Sequence, residues 1–194
     1  MAPRAGLTAE RITRAAAELA DDIGFDNVTL AAVAKRFGVK DPSLYSHVRN
    51  VRDLRTRVAL LATGELADRI AAAVAGRSGK DALVAFANAY RDYAREFPGR
   101  YAATQSAIDP AAAADSLAAQ RSIELTAAML RAYDLHDEAM IDASRLLRST
   151  FHGYATLETS GGFAHSRATD SSWARILDAL HLLLQQWPNS QEDR

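Results

Sequence analysis

Apolar residues recur along this chain at steps of three and four, and no Val-rich alternation runs over five or more residues. That period predicts helices and no strands. Ile12, Ala16, Leu19 and Ile23 share one face of a first helix, which Thr8 caps and Gly24 ends, with Glu10 favourably placed in its first turn. Thr29 caps a second helix running to Phe37, and Gly38 breaks it. A third covers about Pro42–Val48, with Asp41 as its candidate cap and Pro42 in the tolerated first turn. Asn50 followed by Asp53 resembles a capping box before a fourth helix, whose apolar positions Val51, Leu54, Val58 and Leu61 continue into Leu66, Ile70 and Val74.

After the loop Arg77–Gly79 a fifth helix carries Leu83, Phe86, Tyr90, Tyr93 and Phe97, stopped by Pro98-Gly99. Residues 100–108 suit one more short helix, and Asp109-Pro110 punctuates the chain. An Ala-rich helix follows to about Tyr133, then a turn over Asp134–Asp137, an eighth helix to Glu158 closed by Gly161-Gly162, and a ninth over Ser171–Trp187. The last residues are polar and expected to fray. The expected fold is all-α, about nine helices, with a three-helix N-terminal domain (1–55) and a helical bundle (56–190) for ligand binding and dimerisation.

The last two helices are apolar on more than one face. Met140, Leu147, Phe151 and Tyr154 make one stripe with Leu146 and Ala155 beside it; Trp173, Ile176, Leu180, Leu184 and Trp187 make another, flanked by Leu177 and Leu183. One stripe serves a helix's own core. The surplus predicts a homodimer through a four-helix bundle, with Leu146, Trp173, Leu177, Leu180 and Leu184 as candidate interface residues.

Composition changes this picture in three ways. No run of eighteen apolar residues occurs, so no membrane span is expected, and the start lacks the apolar core of a secretory signal; a cytoplasmic protein is expected. Cysteine is absent, which excludes disulfides, thiolate metal sites and cysteine nucleophiles. Net charge is −1, yet residues 1–60 hold ten Arg/Lys against seven Asp/Glu, and the remainder thirteen against seventeen. A basic first third on an acidic remainder fits a nucleic-acid module joined to something else. The histidines show no metal-ligand spacing, and no phosphate loop, nucleophile elbow or zinc helix is present, so no metal, cofactor or catalytic site is expected.

Thr29–Leu54 carries the chemistry. Ala34 lets two helices approach, Gly38 gives the turn its backbone freedom, and Val33, Phe37, Val39, Leu44 and Val48 are apolar where the helices must pack. Their burial turns Ser43, Ser46 and His47 outward, with Lys40 and Asp41 at the start, as a helix suited to base edges in a major groove. Thr29, Tyr45, Arg49 and Arg52 flank it and suit phosphates. Two residues keep a second role open. Tyr45 suits a half-buried core ring as well as a phosphate contact. Asp41 suits a helix cap as well as an acceptor for cytosine N4.

The run Gly38-Val39-Lys40-Asp41-Pro42-Ser43-Leu44-Tyr45-Ser46-His47-Val48 resembles the helix-turn-helix hallmark of the TetR family of regulators, over about residues 8–60. His152-Gly153-Tyr154, Leu157-Glu158 and Gly161-Gly162-Phe163 resemble a motif of one subset of them. The resemblance implies base contacts at Asp41, Pro42 and Ser43 and phosphate contacts at Thr29, Tyr45 and His47. Val51 departs from it, standing where many relatives carry Lys, so that Arg49 or Arg52 is left to take that phosphate. Lys40 also departs, where a small or acidic residue is frequent.

The resemblance implies a dimer on a palindromic operator in double-stranded DNA, released by a small-molecule effector. Tyr90, Tyr93, Tyr101, Met129, Phe151 and Tyr154 suit either ordinary core or the wall of the effector cavity, with hydroxyls as polar anchors. Two other classes stand beside the repressor: a DNA-binding regulator without an effector, and an all-α enzyme using the same cavity.

Overall fold

The computed structural model describes residues 6–108, 112 and 116–188. Among these it holds eight α-helices and no strand: α1 Ala9–Ile23, α2 Leu30–Phe37, α3 Val51–Val74, α4 Gly79–Glu96, α5 Pro98–Thr104, α6 Leu117–Leu130, α7 Asp137–Thr159 and α8 Thr169–Gln185. Short 3-10 segments lie at Phe25–Asn27, Asp41–Leu44 and Arg131–Tyr133. The expected break at Asp109-Pro110, the first residues of the Ala-rich helix and the expected fraying after residue 188 lie outside the described residues.

The chain forms two compact units, residues 1–65 with 96–120, and 66–95 with 121–194. In the first, local chemistry sets the helix starts as expected. Thr8 Oγ1 accepts from the Arg11 amide at 3.2 Å, and Thr29 Oγ1 from the Ala32 amide at 3.1 Å. Gly38 takes a left-handed φ of 65°, letting its own amide and that of Val39 close α2 onto the carbonyls of Lys35 and Ala34. The core joins Ile12, Ala16, Phe25, Val28, Val33, Leu44, Val48, Leu54 and Val58.

The buried side of α1 is the expected one at Ile12 and Ala16, with Leu19 packed against the core, but it is shifted at the helix end. Ile12, Thr13, Ala16, Ala17 and Ala20 are buried, while Ile23 is 42% exposed. The reason is α5, which lies against the small residues of α1. A Cβ on Gly99 would stand 1.9 Å from the Ala20 carbonyl oxygen, so the helices meet where neither has bulk. The Arg100 amide donates to Asp21 Oδ1 at 2.8 Å, and its Nε lies 2.9 Å from Oδ2, close enough for an ion pair though not aligned for a hydrogen bond. Burial pushes the Asp21 carboxyl up, and the Arg100 amide and charge pull it back only part of the way.

The second unit is a cluster of rings around one buried cation. Phe151 packs on Tyr90 (centroids 5.9 Å apart), Phe86 (6.2 Å) and Trp173 (5.7 Å), and Tyr154 packs on Trp173 (4.7 Å) and Phe163 (4.8 Å). Arg91, on α4, lies 5.5 Å from the Tyr154 ring centre and 5.4 Å from that of Trp173. Its guanidinium donates to both oxygens of Glu158 and to Asp170.

The expected dimer residues lie mostly inside the subunit. Trp173, Leu177, Leu180 and Leu184 are at most 7% exposed within the subunit, so their own core already uses them. Leu146 is half-buried, and the apolar residues left open on α7 and α8 are Ile141, Leu157, Leu182 and Leu183. Both stripes of α8 are apolar, and sequence alone does not say which one the subunit covers.

Gly99→Ala forces α1 and α5 apart and is expected to lower stability by about 3 kcal/mol, read as an earlier thermal transition. Gly153→Ala places its methyl in open space in mid-α7. It is expected to raise stability by about 0.5–1 kcal/mol, and an equal loss in both variants would refute the close-approach account.

Candidate nucleic-acid interface

Leu44 (0% exposed) and Val48 (2%) fix this surface. With both inside, Lys40, Asp41, Pro42, Ser43, Tyr45 and Ser46 are exposed and His47 is half-buried. Tyr45 is 57% exposed, which removes the core-ring alternative. The segment is tighter than the α-helix expected over Pro42–Val48. It is a 3-10 helix over Asp41–Leu44 followed by a hydrogen-bonded turn through His47. The Ser43 amide bonds the Lys40 carbonyl at 3.0 Å, and the His47 amide the Leu44 carbonyl at 2.9 Å, both one residue short of α spacing. Pro42 brings no amide, and the Ser46 hydroxyl donates to the Ser43 carbonyl at 3.1 Å, competing with the helical ladder.

Asp41 does not cap. The helix begins at Asp41 itself, Lys40 holds the cap position, and no side chain bonds the first amides.

Two arginines brace this surface from within. Arg36 ties α2 to α1 through Asp22 and Glu18, each at 2.8 Å. Arg55, from α3, donates to the carbonyls of Asp26 (2.6 Å) and Val28 (3.2 Å), fixing the chain just before the Thr29 cap. At the start of α3, Asn50 Oδ1 accepts from the Asp53 amide at 2.9 Å, as the capping pattern predicts. The returning bond differs by one residue: Asp53 Oδ2 accepts from the Arg49 amide, at 2.9 Å, and Oδ1 from Arg57 Nε, at 3.1 Å. Burial works to raise the Asp53 carboxyl, but these bonds outweigh it and hold it below the usual carboxylate range. The sequence shows Arg36 and Arg55 only as charges; their partners are distant in the chain.

Lys40, Arg49 and Arg52 are exposed and make no ion pair among the described residues. Val51, at the first position of α3, is 37% exposed between the last two. Thr29 is exposed, and its oxygen is engaged by the Ala32 amide while its own proton stays available to an anion.

Comparison with known proteins agrees with this geometry. Residues 12–57 match the family described as "Bacterial regulatory proteins, tetR family", and residues 83–180 match "Tetracyclin repressor-like, C-terminal domain". YobS of Bacillus subtilis, an uncharacterised HTH-type transcriptional regulator, is 34% identical over 163 residues, 84% of this chain and 85% of that one. The chain belongs to the TetR family. Rv0681 of Mycobacterium tuberculosis, another uncharacterised HTH-type transcriptional regulator, is 35% identical over 81% of this chain and 72% of its own length. A solved TetR variant from Acinetobacter baumannii AYE, in complex with minocycline, shares the fold at TM-score 0.72 and 20% identity, over 95% of this chain and all of that one. This TetR-family chain is thus a helix-turn-helix, DNA-binding transcriptional regulator.

The six expected ligand residues are divided between the two units. Tyr90, Tyr93, Met129, Phe151 and Tyr154 lie in the second unit, and Tyr101 in the first. All six are buried, at 1–7% exposure. The Tyr154 hydroxyl donates to the Thr169 carbonyl, so it ties down the start of α8. The subset motif has a structural explanation here: Glu158 holds Arg91, and Phe163 covers Tyr154. Among the described residues no group of three or more metal-ligating side chains occurs, and no helix is long and apolar enough to cross a membrane.

The hydrogen bonds from Arg91, opposed by burial, hold the Glu158 carboxyl below the usual glutamate range. A lowered folded-state pKa gives stability that is complete above the ordinary glutamate pKa and lost as pH falls through the folded one. Arg91→Met is expected to cost about 3 kcal/mol near neutrality by stranding Glu158. Denaturant unfolding at falling pH should show the gap between variant and wild type narrowing in acid; a constant gap would refute the pairing.

Proposed function

We propose that this regulator is a ligand-responsive repressor that binds a palindromic operator as a homodimer. One observation carries the DNA surface: a segment pinned by Leu44 and Val48 turns Lys40, Tyr45, Arg49 and Arg52 outward, with none of their side chains paired internally among the described residues. In this proposal Asp41, Pro42 and Ser43 meet bases, and Thr29, Tyr45, His47, Arg49 and Arg52 meet phosphates. Arg49 and Arg52 flank Val51 and supply the cation that it lacks. One such segment spans too few base pairs to select a genomic site; two, related by a two-fold axis and about one turn of DNA apart, suffice. Ile141, Leu182 and Leu183 offer apolar surface for the partner.

The division of labour places DNA binding in residues 1–55 and ligand binding with dimerisation in 56–190. The protein works in the cytoplasm and catalyses no reaction. A small apolar effector with a few polar groups enters among the rings around Tyr90, Tyr93 and Phe151, as the minocycline complex of a structural relative suggests. Effector and operator then weaken each other by one coupling free energy. The close packing of those rings favours one alternative, a regulator with no effector. Thermal-shift screening of small aromatic compounds separates the two: a compound that stabilises the protein and releases operator supports the first, and compounds that bind without changing operator affinity support the second.

Operator affinity is expected to fall steeply with salt. Arg49→Ala or Arg52→Ala removes one phosphate contact per subunit, and should reduce the log–log salt slope by about 2 for a dimer. Fluorescence anisotropy over a salt series reads this. Tyr45→Ala combined with His47→Ala should weaken binding to operator and to random duplex alike, and an affinity left intact would sink the assignment of this surface.

A further inference from the structure

We propose that Asp41 reads a cytosine in each operator half-site, its carboxylate accepting a hydrogen bond from the N4 amino group in the major groove. This rests on segment 40–52 being the DNA-facing surface. Sequence leaves Asp41 two roles, and the structure removes one. As a cap it would take the amide of Ser43 or Leu44. The Ser43 amide is instead bound to the Lys40 carbonyl, at 3.0 Å, and no side chain caps the segment. The carboxylate is exposed and has no hydrogen bond or ion pair among the described residues. Asp22 and Asp53, the carboxylates that flank this surface, are each engaged by an arginine.

A free carboxylate on a surface that approaches phosphates opposes binding to every DNA sequence. It is compatible with tight binding only where it meets a donor. Two major-groove donors exist, cytosine N4 and adenine N6. Adenine sets the N7 lone pair beside its amino group, which repels the second carboxylate oxygen, whereas cytosine sets a C–H there. The neighbouring Lys40 is exposed and unpaired among the described residues, and its ammonium suits O6 and N7 of guanine, the base opposite cytosine. The pair of residues thus offers an acceptor and a donor matched to the two bases of one C·G pair.

The test is selection from random duplexes by full-length wild type, Asp41→Asn and Asp41→Ala, with thermal unfolding to confirm that both variants fold. Wild type should fix a cytosine at one position of each half-site. Asparagine, with one donor and one acceptor, should shift that position towards adenine, and alanine should leave it undetermined, the other positions being unchanged. Discrimination there should fall about ten- to a hundredfold in Asp41→Ala, and Asp41→Asn should bind random duplex more tightly than wild type. A purely structural Asp41 would change the unfolding temperature and not the selected base. The same bases selected by all three proteins would overturn the proposal while leaving the DNA surface standing. No enrichment by wild type would overturn that surface and this proposal with it.

Discussion

The placement of Leu44 and Val48 in the core between α1, α2 and α3 is the constraint on which the functional surface depends. A segment of seven residues is too short to hold a shape of its own. Its shape comes from two apolar side chains driven out of water, each contributing on the order of 2 kcal/mol, and from the Gly38 turn that delivers the chain to them. Once they are inside, Ser43, Tyr45 and Ser46 have only solvent to face. It also explains why a 3-10 segment serves as well as the α-helix expected there. Either winding keeps Leu44 and Val48 on one side, and the tighter one answers Pro42 and the Ser46 hydroxyl.

Charge counting points in the right direction for an incomplete reason. The excess of basic residues in the first sixty suggests a nucleic-acid module, but Arg36, Arg55 and Arg57 are engaged inside the domain. They hold helices against one another. The charge available to an anion in the recognition segment and at the start of α3 comes from Lys40, Arg49 and Arg52, and Asp53 bonds the backbone amide of Arg49. An ion pair between exposed groups contributes little stability, yet the same pairing decides which cations are left for a phosphate.

What sequence reveals is what neighbouring residues decide. The caps at Thr8, Thr29 and Asn50, the Gly38 break and the helical period are settled within four or five residues, and each stands where the pattern placed it. Several failures involve distant partners. Ile23 lies outside because α5 packs on the neighbouring face of α1 through Gly99. Trp173 is internal because Phe151 and Tyr154 of α7 pack on it and Asn88 of α4 accepts its indole N–H. Arg91, one polar residue in a stripe of tyrosines, is at the centre of the second unit because Glu158, 67 residues later, neutralises it. The Asp41 ambiguity is different, because it is settled locally: the Ser43 amide takes the Lys40 carbonyl, and no side chain caps the segment.

The packing of the second unit sets the cost of opening it to a ligand. A ligand shifts a protein between two states only by the difference in its affinity for them. The rings around Phe151 are closely packed and largely buried, so a ligand that parted them would do so at a cost that grows with the apolar surface uncovered. Arg91 resists that parting, because freeing it from Glu158 strands both charges away from water. The elements most easily displaced are therefore those that touch the rings without holding the ion pair. In this unit the second half of α3 fits that description: its Arg69 lies 5.9 Å from the Tyr93 ring centre, while Arg91 is bound by residues of α7 and α8. The same α3 begins at Asn50 and Asp53, beside the recognition segment, as one uninterrupted helix.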